Sequence, residues 1–187
     1  MSSAAEEIAY LFRQHGALVY GEACSVLSHS FQAGELAQQQ GLDEELVLAA
    51  FLHDIGHLCP LESTQAYQKM EAFGIEAHDE WGARYLEARG GSPRLVATVR
   101  NHVRAKRYLC YSDPDYYNTL SKASKQTLAH QGGILSKSEG RAFEDDPYFE
   151  ASIAIRKIDE LAKGIEVEIL PAHWNLLNQL ITKYLVL

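Results

Sequence analysis

A chain of 187 residues with 25 acidic against 17 basic side chains, and a formal net charge of −8, does not look like a general nucleic-acid binder. Its 47% apolar and 22% charged residues make a globular composition, and its length suffices for one domain with a real core. No apolar run approaches the roughly 20 residues that cross a bilayer, so no membrane partner is expected.

The start, MSSAAEEIAYLFRQHG, is acidic and amphipathic, unlike a basic-then-apolar signal segment. Ile8, Leu11 and Phe12 recur there at helical spacing, up to a stop near His15-Gly16. A short non-helical stretch, ALVYGEACS, leads to a second helix in SHSFQAGELAQQQG, closed by Gly41. Asp43 is placed to cap a third, EELVLAAFLHDIGHL, which Cys59-Pro60 stops. After the polar connection LESTQAYQKMEAFG, a helix is expected over 75–88, with Gly90-Gly91 as its terminator. Ser92-Pro93 then opens SPRLVATVRNHVRAKRYL as N-cap and first helical residue. CYSDPDYYNTLSKAS reads as loop and short helix, and Gln131-Gly132-Gly133 as a turn. Further helices are expected over 147–163 and in LPAHWNLLNQLITKYLVL. No alternating strand pattern, repeat or linker interrupts this series, so the expectation is an all-α fold in a single domain over 1–187. Cys24, Cys59 and Cys110 form no CxxC pair, which fits a reduced, cytoplasmic protein.

The informative residues are histidines and aspartates set in apolar surroundings. His53 and His57 are four apart and would share a face of the third helix, with Asp54 about 100° round from His53. Taken alone, this HDxxH is as readily a satisfied buried pair as a metal site. Others join it from separate helices: His29 among Leu27, Phe31 and Leu36; His78; His102 beside Val99 and Val103; and Asp159 in SIAIRKIDELA. Inward-facing His and carboxylate groups on several helices can assemble a dinuclear site, with Asp54 best placed to bridge two cations. Nitrogen and oxygen donors without thiolate suit iron, manganese or zinc and disfavour a structural cysteine–zinc site.

His29, His53-Asp54 and Asp159 match the ordered H…HD…D pattern of the HD-domain superfamily, and His78 and His102 match the extra ligands of its two-metal members. Further stretches resemble the mixed-valent di-iron oxygenase branch that cleaves carbon–phosphorus bonds: YGEACSVLSHSFQ, HDIGH, HVRAKRYLCYSDPDYY, SKQTLAHQGG and IRKIDE. That branch acts on 1-hydroxy-2-aminoethylphosphonate or its N-trimethylated analogue. The resemblance implies an Fe(II)/Fe(III) pair held by His29, His53, Asp54, His78, His102 and Asp159, with O2 as co-substrate. It also implies an organophosphonate substrate, giving inorganic phosphate and glycine or glycine betaine.

Lys106, four residues past His102, and Arg156, three before Asp159, share the faces of those ligands and can reach a phosphonate. By the same resemblance His57, Ser124, Thr127 and Gln131 add neutral contacts to it. Tyr20 and Glu22 correspond to an upstream loop whose tyrosine reaches an iron and whose glutamate holds it or meets the substrate amine. Tyr20 stands two residues before Glu22 where the branch has three. Tyr108, Tyr111, Tyr116 and Tyr117 offer aromatic faces either for packing or for a quaternary ammonium. The same two cations could instead activate water in an HD-type phosphohydrolase, and the ligand set does not separate the two chemistries.

Overall fold

The computed structural model describes residues 3–186. It contains ten α-helices: α1 (Ala4–His15), α2 (Val26–Gln39), α3 (Glu44–Leu52), α4 (His78–Glu87), α5 (Pro93–Ser112), α6 (Pro114–Thr119), α7 (Lys122–His130), α8 (Lys137–Glu144), α9 (Phe149–Leu161) and α10 (Pro171–Tyr184). Among the described residues there is no sheet, only two isolated bridges, Lys69 with Ile75 and Gly91 with Leu185. The fold is all-α, and none of these helices is long and apolar enough to cross a membrane.

The centre is α3. Asp43 caps it, its side chain accepting from the Leu46 N–H, and every residue from Leu46 to Leu52 is buried. A helix apolar on all sides must be surrounded. Around it one continuous core joins residues of α1, α2, α4, α5, α9 and α10. Phe31 of α2 meets Phe51 of α3 edge-on at 5.3 Å between ring centres, and Phe12 and Trp174 extend the cluster to α1 and α10.

Three expectations are revised. The third helix does not run on through His57: it ends at Leu52, Asp54 sits at φ −100°, ψ 9°, and a 3-10 turn covers Ile55–His57. Packing is close just beyond the break, where a Cβ on Gly56 would lie 1.7 Å from the His78 carbonyl oxygen. The fourth helix starts at His78 rather than Ile75, after Ala77 in the left-handed region at φ 54°. Two capped helices went unrecognised, α7 and α8, started by Ser121 and Ser136. The last helix ends at Tyr184, while Leu187 lies outside the described residues.

Candidate active site

Five elements converge on one cluster: α2 with His29, the break after α3 with His53 and Asp54, the start of α4 with His78, α5 with His102, and α9 with Asp159. Their donor atoms fall into two trios, His29–His53–Asp159 and Asp54–His78–His102. Within the first, the Nε2 atoms of His29 and His53 are 3.1 Å apart, and Asp159 Oδ1 is 3.2 Å from His29 Nε2. Within the second, the Nε2 atoms of His78 and His102 are 3.0 Å apart. Asp54 faces both: Oδ2 lies 3.5 Å from His53 and 3.6 Å from His29, while Oδ1 lies 3.4 Å from His78 and 3.6 Å from His102. His53 keeps helical angles, φ −58° and ψ −34°, and the backbone leaves the helix only at Asp54.

The ring tautomers are set by the backbone. His29, His53, His78 and His102 donate Nδ1–H to the carbonyls of Ala162, Ala50, Ile75 and Val99, at 3.3, 2.7, 3.3 and 2.7 Å. Each neutral ring therefore turns a bare Nε2 lone pair inward, the usual arrangement behind metal-binding imidazoles. Lone pairs facing each other at 3.0–3.1 Å repel unless a proton or a metal cation lies between them. Two nitrogens bound at right angles to one ion at about 2.1 Å would themselves be about 3.0 Å apart, so the donor set fits two metal ions.

Electrostatics agree. Burial is the largest influence on His53 and holds its pKa down to about 4. Burial works against the charge of Asp54, but His53, His102, His57 and His78 hold this carboxyl well below the usual range. Burial likewise opposes Asp159, which Arg156 and Lys163 keep ionised. Burial also lowers His78, whereas His29 and His102, opposed by burial, are raised by Asp159 and Asp54. The two carboxylates carry the charge a pair of cations requires, and metal binding would displace the protons that His29 and His102 favour.

His57 differs from the other four histidines. Its Nδ1 accepts the Ile75 N–H at 3.0 Å, which leaves the proton on Nε2. Burial and His78 lower its pKa, and the ring stacks on His78 at 4.0 Å between centres. In that tautomer the ring offers an N–H rather than a bare lone pair. Gly74, at φ +90°, keeps the space beside it open, because a Cβ there would come within 2.6 Å of the ring.

The cavity over the two trios has about 80 Å³ of room for the centres of water molecules. It is lined by Glu22, His57, Lys106, Ser124, Thr127, Gln131 and Arg156, every expected substrate contact, and by Tyr20. Lys106, 3% exposed, donates to Thr127 Oγ1 at 3.0 Å. Burial, with Arg156 and Lys163 nearby, depresses it to about 7. Arg156 is gripped by Asp159 and Glu160 and donates Nε–H to the Tyr116 hydroxyl at 2.8 Å. Gln131 presents a buried Oε1 without a hydrogen-bond partner. The Tyr20 ring lies 4.9 Å from that of His57, and burial raises its hydroxyl pKa.

Sequence reasoning missed Lys163. It lies four residues past Asp159, the same offset that singled out Lys106 from His102. Its Nζ contacts Ser124 Oγ and donates to Glu22 Oε1 at 3.1 Å, and it lines the cavity. The tyrosines offered for an ammonium cage are elsewhere engaged. Tyr108 packs on Phe143 and Phe149, Tyr111 on Tyr108, Tyr117 meets Lys125, and Tyr116 holds Arg156. None of the four lines the cavity, whose aromatic walls are Tyr20 and Phe73.

The HD-domain model matches residues 26–161, a span that takes in all six donor residues. This chain is an HD-domain protein. Two relatives place it further within that family. It is 37% identical over 171 residues to the [1-hydroxy-2-(trimethylamino)ethyl]phosphonate dioxygenase (glycine-betaine-forming) of Leisingera caerulea, covering 91% of this chain and 85% of the relative. It is 35% identical over 161 residues to the hydroxymethylphosphonate dioxygenase of Gimesia maris, covering 84% and 78%. An uncharacterized protein of Acanthamoeba polyphaga mimivirus is 38% identical over 162 residues, covering 86% and 73%. The HD protein described here therefore belongs to the branch that contains phosphonate dioxygenases.

Proposed function

We propose that this HD protein is a di-iron oxygenase that cleaves the C–P bond of a 1-hydroxyalkylphosphonate. The 2-amino and 2-trimethylammonio ethylphosphonates implied by the sequence resemblance are the first compounds to test. The observation that carries this reading is a buried cationic pocket, Lys106 with Arg156, placed against a two-trio cluster that one carboxylate spans. His29, His53 and Asp159 would hold one iron, His78 and His102 the other, with Asp54 between them. When bound, that pair supplies O2 activation and polarisation of the substrate oxygens.

The chain's own residues bind and orient. From buried positions, Lys106 offers a point charge and Arg156 the N–H groups of its two terminal nitrogens that Asp159 and Glu160 do not use. His57 Nε2–H, Thr127 Oγ1 and Ser124 Oγ complete the donors. The free Gln131 Oε1 accepts from a group with a proton to give, such as the C1 hydroxyl or a protonated phosphonate oxygen. Tyr20 and Glu22 close the cavity from the loop before α2. The stoichiometry takes up one O2 for each C–P bond: RCH(OH)PO3H2 and O2 give RCOOH and H3PO4.

The test is phosphate release by iron-loaded protein from these substrates, with and without oxygen. Release that needs oxygen, from protein holding close to two irons per chain, supports the reading. Release without oxygen would instead identify a phosphohydrolase built on the same cluster. One zinc per chain, or no metal, would remove the site as drawn.

A further inference from the structure

Arg156 is 3% exposed and lines the cavity, and a guanidinium so far from bulk water needs acceptors for its N–H groups. Two stand on its own helix: Asp159 accepts from Nη1 and Glu160 from Nη2. Both are anions that offset the charge they hold, and both have other partners. Asp159 Oδ1 lies 3.2 Å from His29 Nε2, inside a donor trio. Glu160 accepts the Ser121 N–H at 3.4 Å and has Lys163 Nζ 3.6 Å away. The third acceptor is the Tyr116 hydroxyl, which takes Nε–H at 2.8 Å. Among the described residues, it is the hydrogen-bond partner that reaches Arg156 from another helix.

Tyr116 stands on α6, off the cavity wall, with its ring packed on Cys110, Leu120 and Leu128. Burial pushes its hydroxyl up to about 12, so it accepts as a neutral group and leaves the charge of Arg156 available to an anion. The three bonds use three of the five guanidinium N–H groups and keep one on each terminal nitrogen. Without the hydroxyl, Nε–H would be a buried donor lacking its acceptor. The nearest remedy is a rotation that lets Nε–H and Nη2–H clasp Glu160 side-on, the fork that guanidinium and carboxylate favour. Such a rotation draws the terminal N–H groups out of line with the cavity.

We infer that Tyr116 is a positioning residue: by holding Nε–H from α6, it keeps the terminal N–H groups of Arg156 turned toward the anion in the cavity. The inference rests on the anion pocket of the reading above and not on its oxygen chemistry. It adds to that pocket a residue that lies outside the cavity.

The experiment is anaerobic calorimetric titration of iron-loaded Tyr116→Phe with inorganic phosphate, a probe that undergoes no turnover. The variant keeps the packed ring and removes only the acceptor. Phosphate should bind about 5-fold or more weakly than to the wild type, part of what a direct hydrogen bond to a charged group contributes, with both irons retained. In turnover of a 1-hydroxyalkylphosphonate in air, the loss should appear in KM, with kcat changed less than about 2-fold. In an Arg156→Met background, which has no Nε–H to hold, Tyr116→Phe should change phosphate binding less than about 2-fold. If Arg156→Met binds no iron or no phosphate, a crystal structure of Tyr116→Phe replaces that comparison. Arg156 should then be found clasping Glu160 through Nε and Nη2.

A loss smaller than about 5-fold overturns the inference, as does one carried by kcat alone. So does a loss that persists undiminished in Arg156→Met, or an Arg156 unmoved in the Tyr116→Phe crystal. Iron loss in Tyr116→Phe overturns it too, because the hydroxyl would then support the fold rather than the anion site. Failure of the oxygenase reading is a different outcome: no phosphonate yields oxygen-dependent phosphate, while phosphate affinity still reports on Tyr116.

Discussion

Lys106 is expected to destabilise the protein that needs it. Its ammonium is moved from a pKa of 10.5 in the open chain to about 7 in the fold, with burial the main cause and Arg156 and Lys163 adding repulsion. At 1.36 kcal/mol per unit, that shift of 10.5 less 7 amounts to about 5 kcal/mol of folding free energy. The sign follows from proton uptake: between pH 7 and 10.5 the unfolded chain holds a proton on this lysine that the folded one has lost. The cost is therefore fully present below pH 7 and fades as the pH rises towards 10.5. Lys106→Met keeps the stem volume and removes the charge. Compared at equal iron content, it should melt about 10 to 20 °C above the wild type at pH 6. By pH 9 the remaining cost is about 2 kcal/mol, and the gap should narrow accordingly. Adding a phosphonate or inorganic phosphate should raise the wild-type melting temperature more than that of the variant, since the anion supplies what the lysine lacks. A variant no more stable than wild type at pH 6, or a gap that does not shrink by pH 9, would refute the reasoning.

Other changes separate metal binding from substrate binding. Asp54→Ala removes the carboxylate that faces both trios, so iron per chain should fall from near two to well under one, by elemental analysis, with helical circular dichroism kept. His57→Ala should retain both irons and weaken phosphonate binding by about 10- to 100-fold in anaerobic titration, the worth of one hydrogen bond to a charged group. Iron loss in that variant would make His57 a ligand after all. Gly56→Ala sets a methyl against the His78 carbonyl, where the space is 1.7 Å, and should cost about 3 kcal/mol or more in denaturant unfolding.

Much of this was legible in the sequence, and the particular residues show why. Periodicity, N-caps and glycine stops identify helices because each is a local property of the chain, and α5 begins at the Ser92-Pro93 pair that announced it. The donor residues stand out for an equally local reason: histidine and aspartate set among valine, isoleucine and leucine need partners, whatever the fold. What stayed hidden depends on neighbours distant in sequence. Nothing within HDIGH says that the helix ends at Leu52, or that the start of α4 sets its His78 carbonyl against Gly56. The difference in tautomer is equally remote, since it turns on whether Nδ1 meets a carbonyl, as in His53, or an amide N–H, as in His57. Lys163 and Glu22 are 141 residues apart, and the chain carries no mark that they form a pair. The sequence by itself determined an all-α fold and which side chains could make a two-metal site. Only the tertiary structure decided which of them face each other, because tautomer, bridging and charge pairing are relations between helices rather than properties of any one.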